Sequence, residues 1–275
     1  MNSPSHAADA DACRYIREFM YQHCGIHLQE GKEPFLRARL GKVMRRLGLA
    51  SLAEYVEFLR TRADAADVSQ MVDALTTNYS YFLREPEHFE FLVRQALPKV
   101  LQPGQKQFRI WSAAAATGEE PYSIAVFLAE YYPRVSGWDW HICASDISTK
   151  ALAVARRAIY PADRVAQIPP DWLRRYFQRG TGRWEGHVRV KPELARQVAF
   201  QRLNLVGNYT HPQPFEVVFC RNVMIYFDRS TQTELVRRLC RFVVPGGYLF
   251  TGHAETLNGL NAPLRCLRPS IYQRL

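Results

Sequence analysis

Residues 108–130 read FRIWSAAAATGEEPYSIAVFLAE, and they constrain the fold more than any other stretch. Phe108, Ile110 and Trp111 form a short apolar run of β-forming residues, followed by a turn of small residues from Ser112 to Gly118. Pro121 then sits where a first helical turn accepts it, and Ile124, Ala125, Phe127, Leu128 and Ala129 give a helical apolar stripe. Strand, tight turn and helix in that order open a nucleotide-binding α/β sheet. The turn lacks the three-glycine pattern that brings backbone against a pyrophosphate, and it carries Glu119 and Glu120 instead. An anionic turn repels phosphate and suits a ligand with hydroxyls and a positive charge. S-adenosylmethionine, with a ribose, an ammonium and a sulfonium, is such a ligand. The same residues also fit an ordinary βα turn with a negatively charged helix start.

Around this unit the pattern divides the chain. Residues 1–10 read as disordered, and 11–76 as four amphipathic helices. Gly25 stops the first and Gly48 the second, Ser51 with Glu54 starts the third, and the fourth runs from Asp64 to Leu75. A helix over 89–97 ends at or soon after Pro98. Strands near 108–111, 141–145, 215–220, 247–251 and 271–274 then alternate with helices near 121–131, 148–157, 171–177 and 230–242. That alternation predicts a doubly wound, mostly parallel α/β sheet over 77–275, attached to an all-helical N-terminal domain over 1–76. Gly180, Gly182 and Gly186 surround short polar strands, which predicts a small antiparallel β insert at about 178–203.

Apolar residues make up 47% of the chain, enough for a large core, and no apolar run reaches the length of a membrane span. The first residues, MNSPSHAADADACRY, lack the basic start and apolar stretch of a signal peptide. Six scattered cysteines without a CxxC pair point to a reduced, cytoplasmic protein, no zinc site is apparent, and no metal is expected. The formal charge of +10 calls for nucleic acid, a membrane surface or an acidic protein as partner, or is simply a solvated surface.

Three further segments fall where ligands bind, outside the carboxyl ends of strands. Asp146 ends the second strand, as a ribose acceptor or as a helix cap competing with Ser148. Arg221 and Asn222 end the buried strand that contains Cys220, and Tyr226 lies in the loop beyond, as a site residue or a core ring. TTNYSYFLRE (76–85) is too aromatic for a plain linker; it reads as a flap that presents Arg84 to an anion, or as a segment in which Arg84 forms a structural salt bridge.

TTNYSYFLRE, IWSAAAATGEEPYSIA, ASDIS, YFQRGTG, LNL, FCRNVMIYFD and GGYLFTGHAE, in this order and spacing, resemble the CheR-type chemotaxis receptor methyltransferases over nearly the whole chain. The resemblance implies a cytoplasmic enzyme, recruited to membrane receptor arrays, that moves a methyl group from S-adenosylmethionine to glutamate side chains of transmembrane chemoreceptors. It implies cofactor contacts from Asn78, Ser80, Arg84, Glu120, Asp146, Asn204, Leu205, Cys220, Arg221 and Asn222, and it places Arg84 and Tyr226 at the reacting centre. Ser80 stands where threonine is more usual, Ala116 where serine is frequent and Ser148 where an acid is frequent. The glycine-rich insert resembles the β-subdomain that docks a receptor tail peptide in some members, with Trp184 and Arg189 as anchors. Arg37, Arg45 and Arg46, on a basic helix, are the expected contacts to an acidic receptor bundle.

The implied chemistry requires little from the protein. A glutamate carboxylate is ionised at neutral pH, so in-line attack on the sulfonium methyl needs alignment rather than a strong base, a metal or a nucleophilic side chain. Two other classes compete. A nucleic-acid methyltransferase fits the charge but needs a base-flipping pocket that the sequence does not display. A non-catalytic S-adenosylmethionine sensor is disfavoured by retention of Arg84 and Tyr226. The expected protein acts as a monomer, without nucleic acid or membrane insertion.

Overall fold

Local signals set the element boundaries in the computed structural model, which describes residues 4–275, with side chains from residue 8 onward. Helix α1 (Pro4–Cys24) stops at Gly25, whose φ of 69° is left-handed. A Cβ there would lie 2.7 Å from Val206, so only glycine fits. Helix α2 (Glu33–Leu47) ends on left-handed Gly48. The Ser51 hydroxyl caps α3 (Leu52–Thr61) by accepting from the Glu54 amide, and Asp64 with Asp67 forms a capping box on α4 (Ala65–Leu75). The disorder expected over residues 1–10 is corrected for 4–10, which open α1; residues 1–3 lie outside the described residues.

The stretch predicted around 89–97 is α5 (Pro86–Phe91), a wide π turn (Leu92–Ala96) and α6 (Leu97–Val100). Pro98 has no N–H and its ring crowds the carbonyl four residues back, and the widened turn absorbs both effects. The sheet domain continues with β1 (Gln107–Ser112), α7 (Glu119–Tyr131), β2 (Asp139–Asp146) and α8 (Thr149–Arg157). Next come β3 (Ile159–Pro161), α9 (Pro170–Tyr176), β4 (Phe177–Arg179), β5 (His187–Val190), α10 (Pro192–Ala195) and β6 (Val198–Arg202). The last elements are β7 (Phe215–Phe219), α11 (Arg229–Phe242), β8 (Val243–Phe250), β9 (Leu264–Arg268) and β10 (Ile271–Arg274).

Seven strands form the main sheet in the order β6-β2-β1-β7-β8-β10-β9. The first five are mutually parallel, and β10 runs antiparallel to both β8 and β9. The chain runs outward from β1 to β2 and β6, then returns to lay β7 on the other side of β1. The carboxyl ends of β1 and β7 therefore flank a topological switch point, where such sheets bind ligands.

Side chains alternate across the sheet and feed two cores. Phe108, Ile110, Val217, Phe219, Tyr248 and Phe250 pack on one face with α5 and α7. Trp111, Phe215, Val218 and Leu249 pack on the other, in a cluster that includes Ile16, Met20, Leu36, Leu40, Tyr55 and Met71 of α1–α4 as well as Leu235 and Leu239 of α11. The N-terminal helices thus share a core with the sheet rather than closing one of their own.

The β insert differs from expectation. Its sheet has the order β3-β5-β4, so Ile159–Pro161 joins it from what the sequence pattern reads as irregular chain. The expected insert strand around 197–203 is instead β6, paired in parallel with β2 at the edge of the main sheet. Arg189 lies on the central strand, not on a free edge; the edges are β3 and β4. Strand β9 was not anticipated, because LRCLR is almost wholly exposed and shows no apolar alternation.

Candidate active site

The turn between β1 and α7 is shaped by its backbone. Ala113 N donates to Phe219 O of β7 at 2.8 Å, and Ala115 N donates to Ser145 O of β2 at 2.9 Å, which anchors the turn to both neighbouring strands. Gly118 has φ 99°, and a Cβ there would lie 2.8 Å from both Ala155 Cβ and Tyr160 Oη. Glycine is therefore required by close packing of α8 and β3, not by a phosphate.

The two acids of this turn separate. Glu119 is buried, accepts from Thr117 Oγ1 at 2.6 Å and does not line the cleft. Glu120 does line it; one oxygen accepts from Ser112 Oγ at 2.7 Å and the other from Arg221 Nη1 at 3.0 Å. Burial pushes its carboxyl up, against the pull of the Arg221 guanidinium.

Asp146, at the carboxyl end of β2, is 8% exposed. One of its oxygens accepts from Ala116 N at 2.8 Å and the other from Ser148 N at 2.9 Å. Burial raises its pKa, and these amides oppose the rise. Ser148 is the residue that caps α8, through Ala151 N, and it also receives the Asn78 amide at 3.2 Å. The capping alternative for Asp146 therefore passes to Ser148. The carboxylate faces the cleft with acceptor capacity beyond these amides, as a ligand hydroxyl requires.

Arg221 is the hub on the β7 side. Its side chain is 1% exposed and pairs with Glu120 and with Glu85 Oε2, each at 3.0 Å, while also donating to Arg84 O. Asn222 follows with a left-handed φ of 58°. The loop from Asn222 to Ile225 is gathered by Glu255, whose two oxygens accept the amides of Asn222, Met224, Ile225 and Gly252. Tyr226 is half-buried in this loop, and its carbonyl accepts from His27 N at 2.8 Å, which ties the loop to the chain after α1.

Beside Arg221, Arg84 sits between Leu83 and Glu85, both at φ 57°. Two non-glycine residues in left-handed backbone, one on each side of Arg84, cost free energy and persist only where the surroundings impose them. The Arg84 side chain is loosely held: Nη1 reaches Tyr79 O at 3.3 Å, and its nearest carboxylate oxygen, on Glu85, is 4.0 Å away. A firm structural salt bridge is absent there among the described residues.

These groups line one cleft that opens to solvent. Of the sequence-derived site residues, Asn78, Ser80, Arg84, Glu120, Asp146, Asn204, Leu205, Arg221, Asn222 and Tyr226 are brought together there. Asn204 also donates to His23 O, and its carbonyl oxygen accepts from Val206 N at 3.2 Å. Cys220 does not belong: it is fully buried in the core behind β7, because alternation turns it away when Arg221 faces the cleft. Arg37, Arg45 and Arg46 lie outside on α2, although Phe35 of the same helix lines the cleft. Arg37 is already paired with Asp9, whereas Arg45 and Arg46 are exposed. Trp184, 42% exposed, and Arg189 are remote from the cleft, on the small sheet and its loop. Glu85, Ser112 and Glu255 were not anticipated, since an isolated acid or serine carries no local signal of a partner far along the chain.

The switch-point cleft and its anionic βα turn fit a methyltransferase of the S-adenosylmethionine-dependent class. Comparison with known families is decisive: residues 78–272 match the CheR methyltransferase, SAM binding domain, and residues 11–76 match the CheR methyltransferase, all-alpha domain. The chain belongs to the CheR methyltransferase family. It is 41% identical over 260 residues to the chemotaxis protein methyltransferase of Escherichia coli K12, covering 94% of this chain and 89% of that one. The Salmonella typhimurium protein of the same description is 42% identical over 248 residues, with 90% and 84% covered. That of Borreliella burgdorferi is 35% identical over 271 residues, with 96% and 94% covered.

Proposed function

We propose that this chain methylates glutamate side chains of transmembrane chemoreceptors, giving glutamate methyl esters and S-adenosylhomocysteine, with Arg84 and Tyr226 holding the acceptor carboxylate. One observation carries the assignment of roles: Arg84 is held by its backbone in the cleft while its guanidinium remains almost uncommitted. The donor set fits S-adenosylmethionine, because Asp146 offers paired acceptors for the ribose, Glu120 offers negative charge for the cationic groups, and Ile147, Leu203 and Leu205 offer an apolar wall. When bound, the cofactor supplies an electrophilic methyl on a sulfonium. The residues of this chain align and desolvate the acceptor carboxylate, and alignment alone is worth about 7–11 kcal/mol in well-oriented reactions.

Recognition of the receptor extends beyond the cleft. Residues 1–76 form the receptor-facing unit and 77–275 the catalytic unit. Exposed Arg45 and Arg46, on the helix that contributes Phe35 to the cleft, meet an acidic helical bundle; Arg37 contributes less because Asp9 holds it. A receptor tail peptide adds to the β4 edge of the small sheet, where backbone bonds give affinity and Arg189 and Trp184 give selectivity. Strand β3 is the poorer edge, since Pro161 has no N–H to donate. No helix among the described residues is long and apolar enough to cross a membrane. The enzyme works as a cytoplasmic monomer recruited to receptor arrays.

Incubation with methyl-labelled S-adenosylmethionine and receptor-bearing membranes tests the reading. Base-labile label on receptor is the expected result, and its absence with a folded, cofactor-binding protein overturns the assignment. Loss of tail-peptide binding in Arg189→Ala, with cofactor affinity intact, tests the docking edge.

A further inference from the structure

A second cluster of chemistry-bearing side chains lies behind Arg84, on the far side of Glu85 from the cleft. Glu85 Oε2 is 3.4 Å from His88 Nδ1 and 3.8 Å from His253 Nε2, and these three donor atoms lie within 4.8 Å of one another. Glu87 Oε1 is 2.5 Å from the same His253 nitrogen. Donors bound at 2.0–2.1 Å around a tetrahedral ion stand about 3.3 Å apart, so these separations need only small adjustments to close on one. His88 supplies an independent observation. It is 1% exposed, and neither of its ring nitrogens has a hydrogen-bond partner. A buried imidazole with both nitrogens unsatisfied is costly unless a ligand occupies one of them. His253, with 53% of its side chain exposed, leaves the cluster open to solvent.

We propose that Glu85, His88 and His253, with Glu87 as fourth donor, bind a divalent transition-metal ion of the zinc class, and that the ion inhibits methyl transfer by drawing Glu85 away from Arg221. The ion is no part of the transfer chemistry. The coupling follows from Glu85 Oε2, which faces both the imidazoles and Arg221 Nη2. When the ion takes that oxygen, Arg221 loses one of its two carboxylates, and its hold on Glu120 and on the Arg84 carbonyl shifts. The inhibition rests on the function proposed above; the binding does not.

The experiment uses tag-free protein stripped with a chelator and titrated with Co²⁺ alone, read by its visible ligand-field bands. One ion per chain with the intense bands of four-coordination is expected, abolished by added Zn²⁺. His253→Gln, at an exposed position, is expected to weaken Co²⁺ binding by about tenfold or more while leaving metal-free methyl transfer at the wild-type rate. Glu87→Gln, also exposed, provides a second variant. Absence of a stoichiometric ion overturns the site, and so does a spectrum unchanged in both variants, which would pass the ion to another donor such as exposed Cys266. Equal inhibition by Zn²⁺ of wild type and His253→Gln would overturn the coupling while leaving the function intact.

Discussion

Two neighbouring arginines line the same cleft and are held in opposite ways. Arg221, at the end of β7, is buried between Glu120 and Glu85, with each ion pair at 3.0 Å. Arg84, in the segment before α5, has its backbone fixed between two left-handed residues, but its guanidinium finds no carboxylate oxygen closer than 4.0 Å. A guanidinium whose two terminal nitrogens are taken by protein partners can only organise the site. One whose donors are open can act on a ligand. Identical chemistry is thus committed to structure at Arg221 and left open at Arg84, and the difference lies entirely in what each side chain has around it.

The largest expected effect comes from breaking the satisfied partner. Arg221→Ala strands two carboxylates in a buried site and is expected to cost about 3–5 kcal/mol in folding stability by urea unfolding. Stability near wild type would show that Arg221 is not the organiser. Arg84→Ala sharpens the contrast: methyl transfer should fall by about 10²–10³ while the unfolding midpoint stays near wild type, as for loss of a transition-state donor. Unfolding of this variant would instead assign Arg84 to the scaffold. Asp146→Ala should weaken S-adenosylmethionine binding by about 1–3 kcal/mol in calorimetry, since ligand hydroxyls lose their acceptors. Unchanged affinity in a folded variant removes Asp146 from the site.

The smallest effect concerns a carboxylate at the rim. Asp228 caps α11, and hydrogen bonds from Thr231, then Tyr21 of α1, hold its carboxyl well below the usual range. A depressed pKa in the fold means that this contribution is complete above about pH 4, the unfolded value, and fades as pH falls below it. Asp228→Ala should lose about 1 kcal/mol at pH 7 and progressively less below pH 4, as followed by thermal unfolding. A loss independent of pH would assign the effect to packing rather than to the charged cap.

Much of the site was legible because its signals are local or periodic. Glu120 and Asp146 lie one and zero residues inside the ends of elements whose apolar patterns are plain, and Arg221 follows directly on a buried strand. Glu85 and Glu255 were not legible. Their partners, Arg221 and the 222–225 amides, are distant in sequence, and nothing beside either acid marks the meeting. Cys220 falls outside the cleft lining for a related reason: adjacent strand residues face opposite sides, and the side that faces the cleft depends on how β7 sits between β1 and β8.

The same division holds for the fold. Helix caps at Ser51, Asp64 and Ser148, stops at Gly25 and Gly48, and the strand–turn–helix at 107–131 were determined by sequence alone, because each depends on hydrogen bonds or backbone angles within a few residues. Only tertiary structure decided that Val198–Arg202 joins the main sheet while Ile159–Pro161 joins the small one, that β9 forms at all, and that α1–α4 close against the sheet. Short strands carry too few side chains to select a partner, so the choice falls to pairing and burial between segments far apart in the chain.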